Sequence, residues 1–234
     1  MAELPNLFVI GDSISLHYGP YLERFLRGHF RYSRKVDSVV LEHSAAAARN
    51  PAWLDYPRGP FGENAGDSGM VLEYLRSGPA EVAAADVLLL NCGLHDVKID
   101  KRTRANQVSL DEYRDNLRAV VGLLVELPAR AVWCTSTPVH DATHAEHDAE
   151  LTFGRVQADV LRYNEVATGA MREAGVSVID LHGFTEALAD KGVDENLGLA
   201  SLYLDHVHFS LWVRAAQAAY LAGWLIAGLG PDAR

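Results

Sequence analysis

The chain has 234 residues, of which 49% are hydrophobic and 22% charged; this suits one globular domain over 1–234 with a large apolar core and excludes a disordered chain. Its formal net charge of -10, from 21 Lys and Arg against 31 Asp and Glu, gives a field that repels polyanions, so nucleic acid is not an expected partner. Two cysteines, Cys92 and Cys134, are too few for a disulfide framework or a four-thiolate zinc site, and their apolar neighbours predict buried free thiols.

In chain order, short β-branched runs alternate with longer stretches of helical period, the pattern of βα units feeding a parallel sheet. The opening "MAELPNLF" lacks the charged region, apolar stretch and cleavage site of a secretory signal, so a cytoplasmic location is the default expectation. A strand is predicted over 6–10 ("NLFVI"), followed by a short helix over 16–26 that carries Pro20. The basic stretch "FLRGHFRYSRK" (25–35) reads as a solvated helix end and turn rather than a phosphate patch, and "KVDSVVL" (35–41) reads as the second strand.

An irregular stretch over 42–67 then leads to a helix over 68–77, for which Ser68 is the expected cap. Strands over 85–91 and 130–135 flank a helix over 109–127, where Ser109 and Glu112 have capping-box spacing. A second irregular stretch, 137–154, precedes a helix over 155–175 that ends at Gly175, and then a strand over 176–181. The last helix, 211–229, is apolar over much of its surface, but its longest apolar run falls short of the roughly 20 residues that span a bilayer. No membrane span is expected, and the oligomeric state is not legible.

Both irregular stretches follow strands, and in an open parallel sheet the loops beyond the strands' carboxyl ends line the ligand crevice. In "FVIGDSISL" (8–16), Ser13 stands at the first such edge, beside the amides that open a helix. That position suits a nucleophile, although the same serine could be a cap and nothing more. A serine hydroxyl needs an adjacent base, itself oriented by a carboxylate. In "YLDHVHFS" (203–210), Asp205 and His208 are three apart, a spacing that puts both on one side of a turn and equally suits a solvated cap.

Taken together, these residues resemble the SGNH, or GDSL-type, hydrolases. "GDSIS" (11–15) is similar to that family's first block, "NAGDSG" (64–69) to its second, "NCGLHDV" (91–97) to its third, and "DHVH" (205–208) to its Asp-x-x-His block. The resemblance implies an α/β fold, a three-layer α/β/α sandwich with a five-stranded parallel sheet, and a serine esterase or acylhydrolase without a cofactor. It assigns Ser13 as nucleophile, His208 as base and Asp205 as its orienting partner, with the oxyanion held by the N–H groups of Ser13 and Gly66 and a side chain at position 95. The substrate is then a small-molecule ester, expected to carry a short acyl group on a small alcohol or sugar.

The third block departs from the family at His95, where asparagine is usual. Imidazole donates from one nitrogen only if the tautomer places hydrogen there. Either His95 replaces the amide as donor, strengthened by a carboxylate such as Asp96 on its other nitrogen, or it points away and leaves two donors. The first reading is preferred. An acyltransferase would use the same triad, and a ligand-binding pseudoenzyme with an impaired oxyanion hole is the reading from another class. An α/β-hydrolase is disfavoured because "GDSIS" lacks the last glycine of Gly-x-Ser-x-Gly.

Other residues carry weaker signals. His206 is expected to pack rather than act as base, and Asp12 and Asp96 to accept loop N–H groups. His140, His144 and His147 fit no zinc spacing, so no metal is expected and the stretch reads as a mobile, polar lid beside the pocket. Asn64 is expected to brace the glycine-rich loop. Trp53, Tyr56 and Phe61 would either wall an acyl or sugar pocket or pack their loop on the sheet, while Arg49 and Arg58 would bind an acidic substrate group or offset nearby carboxylates.

Overall fold

Leu7, Phe8, Val9 and Ile10 are each at most 1% exposed, because a parallel strand covered by helices on both faces has no solvent side. They belong to the central part of a computed structural model that describes residues 3–36, 62–189 and 198–229. Its elements are β1 (Asn6–Ile10), α1 (Ser13–Phe25), β2 (Arg31–Arg34), α2 (Ser68–Arg76), α3 (Ala80–Ala83), β3 (Val87–Leu90), β4 (Ile99–Asp100) and α4 (Leu110–Leu124). They continue with β5 (Arg130–Cys134), α5 (Asp141–Glu146), β6 (Phe153–Gly154), α6 (Gln157–Glu173), β7 (Ser177–Ile179), α7 (Leu181–Ala187), a tight 3-10 turn (Gly198–Leu202) and α8 (Leu211–Leu229).

Five strands form one parallel sheet in the order β2-β1-β3-β5-β7. Helix α8 packs on α1 and α7, while α4 packs between α2 and α6, giving the two helical layers of an α/β/α sandwich. The chain runs outward in opposite directions from β1 and β3, so a crevice opens between their carboxyl ends. A small antiparallel pair, β4 with β6, joins the loop after β3 to the loop after β5. That pairing ties the two loops into one rim beside the crevice.

Several local expectations are corrected. The second strand lies at 31–34 instead of 35–41; "RYSR" is an edge strand whose alternating polar residues give no apolar run to find, and 37–41 lie outside the described residues. Helix α1 begins at Ser13 rather than 16 and continues through Pro20. Asp67, not Ser68, caps α2 by accepting from Met70 N–H, and Ser68 is fully buried as the helix's first residue. The stretch 137–154 holds α5 and β6, with His140 as the helix cap and His144 buried.

Ser109 caps α4 as its spacing predicts. Gly175 ends α6 in the left-handed region, with φ of 73°. Cys92 and Cys134 are free and buried, and burial pushes both thiols well above their ordinary range, which keeps them protonated and inert. No helix among the described residues is long and apolar enough to cross a membrane.

Candidate active site

Strand β1 delivers Ser13 to the crevice in one turn of chain. Asp12 caps α1, accepting from Ile14 N–H on Oδ1 at 2.9 Å, and Ser15 Oγ donates to the Asp12 carbonyl at 2.7 Å. Arg34 clamps the turn from β2 with bonds to the Ser15 carbonyl and Oγ. Ser13 is therefore the first residue of a fixed helix, and its N–H has no acceptor within the helix.

The segment before α8 folds back on itself through a Tyr203 to Phe209 bridge, with Leu204 N–H donating to the His208 carbonyl at 2.7 Å. This places the His208 ring against Ser13. Nε2 lies 2.9 Å from Ser13 Oγ, and Nδ1 lies 2.7 Å from Asp205 Oδ2. A carboxylate facing Nδ1 selects the tautomer with hydrogen there, leaving the Nε2 lone pair to accept the serine proton. Burial acts to raise the Asp205 pKa, but the His208 ring and the N–H groups of His208 and Val207 outweigh it and hold the carboxyl below the usual range. The three side chains thus form one hydrogen-bonded line.

His17 supports this line from below. It lies four residues after Ser13 on the same face of α1, and its ring centre is 4.4 Å from that of His208. Burial, followed by the nearby His208 and Arg214, pushes His17 well below the ordinary histidine range, so a neutral ring abuts the imidazole. The spacing from Ser13 could have identified it in the sequence.

His206 stands outside the line. Its Nδ1 is 3.7 Å from Asp205 Oδ1, and its ring meets His144 and Phe153 edge-on. Burial lowers it to about 4, so it is neutral near pH 7. His144 sends Nδ1 toward the His206 carbonyl at 3.3 Å, which ties α5 to the loop carrying Asp205 and His208. His144 is thus an anchored, buried residue in the stretch read as a polar lid, whose other residues between 141 and 150 are mostly exposed. Among the described residues, no group of three or more His, Cys, Asp or Glu is placed to hold a metal ion.

The second and third sequence blocks meet at His95. Gly66, with φ of 74°, donates its N–H to Asn64 Oδ1 at 2.9 Å, and Asn64 Nδ2 lies 3.2 Å from His95 Nε2. Asn64 braces the loop, as its position suggests, and in doing so occupies the Gly66 N–H. The other nitrogen of His95 faces Lys98 Nζ at 3.0 Å. Asp96, the partner anticipated for that nitrogen, instead accepts from Ser68 N–H at 2.9 Å. The turn after β3 directs adjacent side chains to opposite sides, so an acid next in sequence need not be next in space.

Burial, then Lys98 and Arg155, push His95 down to about 3, so it is neutral at ordinary pH. Burial raises Asp96 to about 7 despite the bonds from Ser68. Arg155, at 5% exposure, donates from Nε to the Leu94 carbonyl at 2.7 Å and so fixes the turn that carries His95. Its guanidinium and the Lys98 ammonium both lie against the Phe153 ring, at 4.7 and 4.9 Å. Lys98 and Arg155 carry no local sequence signal, because β4, β6 and the turn after β3 bring them together only in the fold. Trp53, Tyr56 and Phe61, with Arg49 and Arg58, lie outside the described residues.

No protein-family model matches the chain, and no curated protein matches it significantly. Solved structures do. A lipase/acylhydrolase from Enterococcus faecalis superposes with a TM-score of 0.64 at 14% identity, over 95% of each chain. An acetyl xylan esterase matches with a TM-score of 0.66 at 16% identity, over 94% of this chain and 100% of that one. A GDSL-like lipase from Bacteroides thetaiotaomicron matches with a TM-score of 0.56 at 11% identity, over 93% and 85%. At these identities the likeness establishes a shared fold along nearly the whole chain, with the five-stranded parallel sheet expected from the sequence.

Proposed function

We propose that this protein is a serine hydrolase of the SGNH type that cleaves a carboxylic ester through an acyl-enzyme on Ser13. The observation that carries the reading is the hydrogen-bonded line from Ser13 Oγ through His208 to Asp205, set at the switch point of the sheet. Similarity to structures described as lipase/acylhydrolase, acetyl xylan esterase and GDSL-like lipase supports the same chemistry. The acetyl xylan esterase favours a short acyl group on a sugar or small alcohol as the first substrate to try.

In the proposed reaction, Ser13 Oγ bonds to the acyl carbon as its proton passes to His208 Nε2. The positive imidazolium is stabilised by Asp205. The tetrahedral oxyanion is held by Ser13 N–H and the His95 ring, while Gly66 N–H, engaged by Asn64 Oδ1, shapes the hole by fixing the Asn64 amide beside His95. Collapse breaks the bond to the alcohol oxygen, which takes the proton from Nε2. Water then gives its proton to His208 and its oxygen to the acyl carbon, and Ser13 leaves with the proton returned.

A fluorophosphonate tests this directly. It is expected to label Ser13 in the native protein and to leave Ser13→Ala unlabelled, with loss of p-nitrophenyl acetate cleavage in the variant. Undiminished cleavage by Ser13→Ala would reject the nucleophile, and no Ser13-dependent turnover or labelling at any pH would favour the pseudoenzyme.

A further inference from the structure

We infer that Lys98 is a positioning residue for catalysis: its ammonium donates to His95 Nδ1 and thereby forces the ring hydrogen onto Nε2, converting a histidine into the oxyanion donor that asparagine would otherwise supply. This rests on the proposed role of His95 in the oxyanion hole.

The inference comes from donor and acceptor counting. A neutral imidazole carries one N–H and one lone pair, and both His95 nitrogens face nitrogens of other side chains. Both partners are donors, Asn64 Nδ2 at 3.2 Å from Nε2 and the Lys98 ammonium at 3.0 Å from Nδ1, and a neutral ring has one lone pair to offer; the shorter, charge-assisted bond takes it, so Nδ1 accepts and Nε2 carries the hydrogen. On the other side, Gly66 N–H fixes Oδ1 of Asn64 and thus turns Nδ2 toward His95. With the hydrogen on Nε2, the Asn64 Nδ2 contact at 3.2 Å pairs two donors and no acceptor, and an anionic oxygen placed alongside supplies the acceptor that both lack.

The environment keeps this arrangement in force. His95 cannot escape by becoming doubly protonated, because burial and the positive charges of Lys98 and Arg155 disfavour the imidazolium. Lys98 is half-buried, and burial together with Arg155 lowers its pKa, while the carboxylates of Asp67 and Asp12 oppose that shift. Its cation also rests on the Phe153 ring, held by the β4–β6 pair. The alternative tautomer, with Nδ1–H donating to Lys98, requires a neutral amine at that position.

Two measurements test the inference together. In the native protein labelled with ¹⁵N-histidine, His95 is expected to show the Nε2–H pattern, moving toward Nδ1–H in Lys98→Met and staying Nε2–H in Lys98→Arg. Lys98→Met is expected to lower kcat by ~10–100-fold with little change in KM, a fraction of the loss from deleting a whole oxyanion donor. In a His95→Asn background, where no tautomer remains to be set, the same Lys98→Met change is expected to have less than about a threefold effect. A native Nδ1–H pattern, or an equal Lys98→Met loss in both backgrounds, overturns the inference. A native protein that cleaves no ester rejects the catalytic reading instead, and the His95 spectrum still decides the tautomer.

Discussion

Asp205 holds His208 at two points: Oδ1 accepts the backbone N–H at 2.7 Å, and Oδ2 faces the ring Nδ1 at 2.7 Å. One carboxylate therefore sets both the bend of the loop and the tautomer of His208. Asp205→Asn keeps an oxygen for the backbone but offers the ring a neutral amide. The expected outcome is a kcat loss of ~10³–10⁴ on a chromogenic acetate with the fold intact by circular dichroism. A kcat within tenfold of native would remove Asp205 from the mechanism.

His206 and His208 differ by two positions in the chain and by role in space. His206 packs on His144 and Phe153, whereas His208 meets Ser13. His206→Ala is expected to keep kcat within about tenfold, and His208→Ala to lose ~10⁴ or more. Steady-state kinetics on both variants checks this; equal losses would leave the base unassigned.

At His95 the expected order is native and His95→Asn together, with His95→Ala about 10²–10³-fold lower in kcat. Asparagine restores a neutral N–H donor, while alanine restores none. Equal rates in all three proteins would take His95 out of the oxyanion hole.

Asp96 predicts a pH-dependent stability. Burial raises its folded pKa from 3.8 to about 7, so the ionised form is disfavoured in the fold, and the native protein loses stability as pH rises between about 4 and about 7. Asp205 acts with the opposite sign: its depressed folded value adds stability above about pH 4 that is lost on acidification below it. Asp96→Asn is expected to flatten the loss across the upper window. Urea midpoints of native and variant proteins at about pH 5 and about pH 8 measure it, and an identical change in both would show that Asp96 does not titrate there.

The central strands were legible because their runs of buried aliphatic residues have no other use. The edge strand at 31–34 was not, since a strand with one exposed side and one neighbour keeps polar residues that also suit a turn. Helices α3, α5 and α7 are short, and the shorter a helix, the fewer turns it has to display a period. Capping was legible at Ser109 and misplaced by one residue at Ser68, because Asp67 and Ser68 are both good caps and only the backbone geometry chooses between them.

By itself the sequence determined the parallel sheet, the turn that carries Ser13, and the spacing that sets Asp205 and His208 on one side of a bend. Those are local matters of periodicity, turn chemistry and short-range reach. Only the tertiary structure decided which nitrogen of His95 meets which partner. The choice of Lys98 over Asp96 depends on the direction of side chains leaving the turn after β3, and on Arg155 and Phe153 arriving from the loop after β5. A proton's position on a buried ring follows from those contacts, and they join residues far apart in the chain.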